Sequence, residues 1–359
     1  MLFWRILLGI PIIAGVAVLA YLDMWLSDQV QVRGIILLPL FLVVVGFLCD
    51  EILDLLEAGG LHPRRSTVWI GILAMTFCCW LACAVQEYKS EEAVSGFRQE
   101  ITGNNFFTTE STEGTESSQI QSLSGLCALC GEEKRDSYLL AKASPHGWHW
   151  AATASLITLL AMAGGMIIVF AGEILRYARP GGTLINLAGA VFAISYIGLL
   201  ACFIIQLRMA FGIAAVLSLV VVAKMCDTGA YAVGRIFGTR KMIPSISPGK
   251  TIEGFLGGIA FAILGAWIWF NVVIPLAFRT TWFAGDPHGV SLLGWLSFGL
   301  VVAISSVLGD LSASLIKRDV KRKDSSSWMP GFGGFLDIFD SLLIAAPVAY
   351  AWWAFRLVS

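Results

Sequence analysis

The feature that most constrains this chain is a succession of long apolar runs without a single charged residue, at 6–22, 34–49, 66–86, 150–172, 180–207, 209–223, 254–278, 287–309 and 341–355. A hydrocarbon core roughly 30 Å thick is crossed by about 20 helical residues. Inside it every backbone N–H and C=O must find its partner within the protein, which leaves the α-helix as the way for separate apolar runs to cross. With 57% hydrophobic and 14% charged residues and a mean hydropathy of +0.78, the chain lies far from a soluble domain, where about a quarter of residues are charged. The sequence predicts an all-α polytopic integral membrane protein of about nine transmembrane helices. The run at 6–22 follows Arg5 and has no small-residue cleavage site behind it, so it reads as a retained helix and not a signal peptide.

Three runs, the second, sixth and ninth, are short. They reach spanning length only by taking in Asp50, Glu51 and Asp54, then Lys224 and Asp227, then Asp337 and Asp340. Ionisable groups at membrane depth cost several kcal/mol each unless they face a wet cavity or a partner, which marks them as functional candidates. The acids of the second run read as helix-end markers at headgroup level; those of the ninth read as functional.

The distribution of cations orients the chain. With nine spans, the N-terminus shares a face with the segments near 50–65, 173–179, 224–253 and 310–336, which with Arg5, and leaving the intramembrane Lys224 aside, hold 14 Lys and Arg, whereas the short loops and tail of the opposite face hold four, Arg33, Arg208, Arg279 and Arg356. The positive-inside rule places the richer face in the cytoplasm. Residues 1–86 form a three-helix membrane region, 87–147 an extracytoplasmic polar insert, and 148–359 a six-helix membrane region. The insert carries 14 Ser or Thr, ten acids and five cations, and its Ser/Thr/Glu-rich middle reads as weakly ordered. Cys127 and Cys130 form a single CxxC there, a structural pair that suits a disulfide or half a zinc site. The other six cysteines lie in or beside spans and read as buried packing residues.

Two segments on the cytoplasmic face differ from plain tethers. From Asp227 to Gly254 the chain combines glycines at 229, 234, 238 and 249 with Arg235, Arg240, Lys241 and Lys250 and the hydroxyls of Ser245, Ser247 and Thr251. Glycines permit close backbone approach and the cations and hydroxyls suit a polyphosphate. The Walker pattern GxxxxGK[ST] is absent, and Gly249-Lys250-Thr251 is only a fragment of it.

From Gly309 to Ser341, 33 residues hold five carboxylates (Asp310, Asp319, Asp324, Asp337, Asp340) and five cations (Lys317, Arg318, Lys321, Arg322, Lys323). Asp337 and Asp340, three apart, share one face of a helix, and Asp310 closes the preceding span. Three carboxylates near one another cannot all stay ionised without a counter-charge. A hard divalent cation supplies it, and Mg²⁺ held by one or two carboxylates together with substrate phosphates is the usual arrangement. A plain ion-pair network with Lys317, Arg318 or Lys323 is the alternative.

The strings Ser314-x-x-Lys317-Arg318, Lys323-Asp324-Ser325 and Pro330-Gly331-x-Gly333-Gly334-x-x-Asp337-x-x-Asp340-Ser341 closely resemble the signature of the phosphatidate cytidylyltransferases, or CDP-diacylglycerol synthases. The earlier segment, Asp227-Thr228 through Ala230-Tyr231, Gly234, Phe237-Gly238, Lys241, Pro244, Ser247-Pro248, Lys250-Thr251 and Glu253-Gly254, resembles the same family's second hallmark. The likeness covers the C-terminal half, from about residue 180. It departs at Phe332 and Ile338, where the family has His and Arg.

The resemblance implies transfer of CMP from CTP to phosphatidate, giving CDP-diacylglycerol and pyrophosphate for phospholipid biosynthesis. It implies Asp310, Asp337 and Asp340 as metal ligands for Mg²⁺, with a second, monovalent cation as a further candidate. Lys317, Arg318, Lys323 and Asp324 would be catalytic; Asp227, Tyr231, Lys241, Ser247, Lys250, Thr251 and Ser314 would bind substrate. The expected setting is a bacterial inner membrane with catalytic loops facing the cytoplasm, CTP, phosphatidate and the bilayer as partners, a homodimer as the candidate assembly and no nucleic acid. Another membrane CTP-dependent transferase acting on a different lipid phosphate or a polyprenol is the alternative, with a transporter or an inactive paralogue behind it.

Overall fold

The computed structural model describes residues 18–19, 21–23, 26, 34–103, 146–177, 181–277, 290–326 and 333–355, with the backbone alone over 86–103 and 146–154. Most of the run at 6–22, the pair Cys127 and Cys130, and Phe332 lie outside the described residues. The chain divides into two compact units, one formed by 1–84 with 154–359 and the other by 85–153.

Eight long helices follow one another: α1 Leu37–Ala58, α2 Arg65–Gly103, α3 His146–Arg176, α4 Thr183–Phe211, α5 Ile213–Phe237, α6 Ile252–Leu276, α7 Leu292–Asp319 and α8 Phe335–Ala354. Among the described residues, seven of them are long and apolar enough to span a membrane; the exception is α1, whose second half carries Asp50, Glu51, Asp54 and Glu57. Their outer faces are apolar where a soluble protein would be charged. On α3, Leu159, Leu160 and Ile167 are each at least 60% exposed, as expected of side chains facing acyl tails. The chain is an all-α polytopic membrane protein; one short hairpin, β1 Lys241–Ile243 paired antiparallel with β2 Ser247–Thr251, interrupts the helices.

The boundary between α4 and α5 falls at Gly212, at φ +82°, a left-handed conformation that suits glycine. This places Arg208 inside α4 and not in a loop. Its guanidinium is buried against the Asp23 carboxylate, and the other oxygen of Asp23 accepts from Ile36 N and Leu37 N at 3.1 and 3.3 Å, closing the start of α1.

The acids of α1 divide by role. Asp50 accepts from Trp69 Nε1 at 2.9 Å, and Glu57 binds Arg65 through both oxygens at 2.7 and 2.8 Å, with Asp54 also on Arg65. These three tie the end of α1 to the start of α2, as helix-end residues should. Glu51 does not belong with them: it is buried and reaches the start of α8. Five of the six described cysteines are buried; Cys78 is exposed, so the packing reading holds for the five.

The expected loop at 227–254 is mostly ordered. Helix α5 continues through Phe237, and Gly229 and Gly234 serve packing against α6, while Gly238 closes the end of α5. A Cβ on Gly229 would lie 2.4 Å from Phe261 Cβ, one on Gly234 3.4 Å from Gly254 Cα, and one on Gly238 2.1 Å from Gly234 O. Among these four only Gly249 has open space around it, and none has positive φ. Thr251 caps α6, its Oγ1 accepting from Gly254 N at 3.1 Å, while the Glu253 carboxylate gathers Thr239 Oγ1 at 2.7 Å and Arg240 N at 3.2 Å. Thr251→Ala should therefore lower stability by about 1 kcal/mol, as loss of an N-cap does, which thermal unfolding in detergent would register.

Candidate active site

Four elements meet where the acids of α5, α7 and α8 gather. Helices α7 and α8 approach tightly at Gly309, where an added Cβ would stand 2.4 Å from Asp340 O and 2.9 Å from Ser341 Cα. That crossing sets Asp310 on α7 beside Asp340 on α8. The hairpin brings Lys250 over the same place, its Nζ 2.7 Å from Asp310 Oδ2, and Ser314 Oγ approaches Asp310 Oδ1 at 3.4 Å. From α5, Lys224 Nζ reaches Asp227 Oδ2 at 3.1 Å, the Ile338 carbonyl at 3.2 Å and Ser341 Oγ at 3.4 Å. An ammonium thus stands at the backbone of the very residue where the sequence departs from its resemblance by lacking a guanidinium.

The three predicted metal carboxylates differ sharply in what they touch. Asp337 is fully engaged: its Oδ2 accepts from Ser325 N at 3.0 Å, Ser325 Oγ at 3.0 Å and Gly334 N at 2.9 Å, and its Oδ1 faces the buried ammonium of Lys317. The bond back to Gly334 N is that of a third helical residue capping its own helix entry. Asp310 is partly exposed and paired with Lys250. Asp340 is buried, accepts from Ser341 N at 2.6 Å, and makes no ion pair among the described residues.

A buried carboxylate without a cation is costly, and one facing a second carboxylate more so. Oxygen donors from two elements, one of them without an ion-pair contact among the described residues, fit a hard divalent cation completed by phosphate or water oxygens. Among the described residues no three of His, Cys, Asp or Glu stand together as a ready-made cage. The donor set therefore fits a cation held by Asp340 and Asp310, with Asp337 holding the helix entry and Lys317.

The remaining predicted residues lie on α5, the hairpin, the end of α7 and the segment that follows it. Arg318 donates to Ile246 O at 3.2 Å, tying α7 to the hairpin turn. Lys241, Lys323 and Asp324 are exposed. Tyr231 is exposed and accepts from Arg235 at 2.7 Å. Ser247 lies on β2, and the Thr251 hydroxyl is engaged in its cap. Glu51, which sequence reasoning set aside, accepts Ser325 Oγ, Phe335 N and Leu336 N each at 2.8 Å and Ser326 Oγ at 3.1 Å. Its only sequence signal was membrane depth in a short apolar run, and Asp50 and Asp54 shared it.

A family model described as the cytidylyltransferase family matches residues 4–355. Similar proteins include phosphatidate cytidylyltransferases of Haemophilus influenzae, 41% identical over 121 residues (34% of this chain and 39% of that one), and of Bacillus subtilis, 39% identical over 157 residues (43% and 54%). A third, from Staphylococcus aureus, is 32% identical over 203 residues, 56% of this chain and 71% of the relative. The chain thus spans about two-fifths and about half of the length of the first two of these relatives. With a family match reaching from the first described helix to the last, and with the acidic crossing of α7 and α8 inside it, the chain belongs to the cytidylyltransferase family.

Proposed function

We propose that this protein transfers CMP from CTP to phosphatidate, releasing pyrophosphate, at the cytoplasmic boundary of a bacterial inner membrane. The observation that carries the reading is the meeting of Asp310 and Asp340 at the Gly309 crossing, with the Lys250 ammonium against one of them and the Lys224 ammonium nearby. The cytidylyltransferase family match, over residues 4–355, includes this crossing, and relatives named phosphatidate cytidylyltransferase are 32–41% identical to parts of the chain.

In the reaction, a phosphate oxygen of phosphatidate forms a bond to the α-phosphorus of CTP while the bond from that phosphorus to the bridging oxygen breaks and its electron pair leaves with pyrophosphate. The nucleophile is already anionic, so no side chain need remove a proton. The task is to hold two anions together and to meet charge growing on the leaving group, which is work for positioning and fixed cations. Lys250, on a hairpin that Arg318 ties to α7, is placed to swing from Asp310 to a phosphate. The exposed Lys241, Lys323 and Arg235 supply a cationic rim on the side where CTP arrives, and Lys317 holds Asp337 so that α8 presents Asp340. Asp340 and Asp310 are the residues that would hold Mg²⁺, which would supply positive charge against the phosphates.

The test uses the purified chain in detergent with CTP, Mg²⁺ and phosphatidate, followed by pyrophosphate release and recovery of CDP-diacylglycerol. Release is expected only when both substrates are present. Folded protein that releases none with phosphatidate but does so with a polyprenyl phosphate would overturn the substrate, and silence with every lipid phosphate would overturn the reaction.

A further inference from the structure

We infer that Glu51 of α1 is a positioning residue for the reaction, a latch by which the N-terminal region holds the carboxylates of α8 in working geometry; this rests on the transferase reading above. The latch has three parts. The Glu51 carboxylate takes four donors, each oxygen receiving one backbone N–H of the first turn of α8 and one hydroxyl from 325–326: Oε1 accepts from Phe335 N and Ser326 Oγ, and Oε2 from Leu336 N and Ser325 Oγ. One turn earlier on α1, the Phe47 ring stacks on Phe335 with centroids 4.8 Å apart and planes 6° from parallel. Between them Gly334 leaves room that no other residue could, since a Cβ there would meet Ser325 Oγ at 2.1 Å and Glu51 Oε2 at 2.3 Å.

The connection to chemistry runs through Ser325. Its hydroxyl, whose single proton the two carboxylates share, lies 2.8 Å from Glu51 Oε2 and 3.0 Å from Asp337 Oδ2, and its N–H donates to the same Asp337 oxygen. Glu51 therefore fixes Ser325, Ser325 fixes Asp337, and Asp337 fixes Lys317. In parallel, Glu51 satisfies the orphan donors at the start of α8, and Asp340 follows Leu336 by one helical turn. A carboxylate at that end also opposes the positive end of the helix dipole. Glu51 touches no reacting atom in this scheme. Its part is to keep Asp340 facing Asp310, in the way outer partners of metal ligands do, whose loss costs about 10–100-fold in affinity or activity.

Glu51→Gln keeps the shape, removes the charge and turns one acceptor into a donor facing an N–H and a hydroxyl. In the full-length protein in detergent, kcat per folded molecule should fall at least about tenfold. The Mg²⁺ concentration for half-maximal rate should rise severalfold, and KM for CTP should stay within about twofold, because the nucleotide rim is untouched. Hydrogen exchange should show lost protection at residues 335–341. A variant with reduced thermal stability but unchanged kcat, Mg²⁺ dependence and exchange at 335–341 would overturn the proposal, since a merely structural contact behaves that way. If the native protein releases no pyrophosphate at all, the transferase reading has failed and exchange alone decides: unchanged protection in Glu51→Gln ends the latch, and lost protection upholds it. Should Glu51→Gln not accumulate, Ser326→Ala carries the test, because it removes one bond to Glu51 and none to Asp337. A fall of about fivefold in kcat, with faster exchange at 335–336, is then the expected result, and no change in either overturns the proposal.

Discussion

Asp340→Asn should abolish turnover while leaving a folded protein. The amide oxygen can still accept from Ser341 N, which is the hydrogen bond this side chain makes among the described residues, and removing an unpaired buried charge relieves the fold. What is lost is the carboxylate that faces Asp310 with no cation in direct contact among the described residues. If that charge holds the cation over the phosphates, pyrophosphate release should drop by about 10³-fold, the scale on which preorganised electrostatic groups act, and added Mg²⁺ should not restore it. Asp337→Asn should behave differently. Its carboxylate is engaged by three donors and by the buried Lys317, so its removal takes from a buried ammonium the carboxylate it touches, a change that costs about 3–5 kcal/mol. That variant should be poorly folded, and Lys317→Met in the same chain should recover much of the folded yield without recovering activity. Comparable turnover in Asp340→Asn and the native protein would show that the unpaired carboxylate has no part in catalysis.

The contrast between these two acids also shows what the sequence could and could not disclose. Spans were legible because bilayer thickness imposes a length on each apolar run, and the i, i+3 spacing of Asp337 and Asp340 correctly placed both on one helix. Their unequal environments were not legible, since the donors that engage Asp337 come from Ser325 and Gly334, nine positions apart in the sequence, and from Lys317 on another helix. Glycines at 229 and 234 looked like part of a phosphate-binding loop because glycine suits both close ligand approach and close helix packing, and only the neighbouring α6 distinguishes the two. Glu51 was the hardest case: its partners lie more than 270 residues away in sequence, and no local period carries information about a contact of that range. Thr251, by contrast, precedes an acidic first turn and a long apolar helix, a local pattern that does signal a cap.

Gly309→Ala is expected to be the most disruptive single-methyl change in the site. The added carbon would stand 2.4 Å from a backbone oxygen of Asp340 and 2.9 Å from Ser341 Cα, and backbone cannot step aside as a flexible side chain can. Overpacking of this kind costs about 1–3 kcal/mol, and a clash with main chain on a neighbouring helix belongs at the upper end. Because the helices must separate to admit the methyl, Asp310 and Asp340 part with them, so activity per folded molecule should fall along with stability. Gly249→Ala is the matched control. That glycine has nothing within 4 Å of an added Cβ and no positive φ, so its unfolding temperature should match that of the native protein. The two helices carry the acids on successive residues of one crossing, Gly309-Asp310 against Asp340-Ser341, so the distance that a methyl would open is the same distance on which the proposed cation site depends. A Gly309→Ala protein that unfolds at the native temperature and turns over normally would show that the crossing is looser than its geometry requires, and with it that Asp310 and Asp340 need not be held together for catalysis.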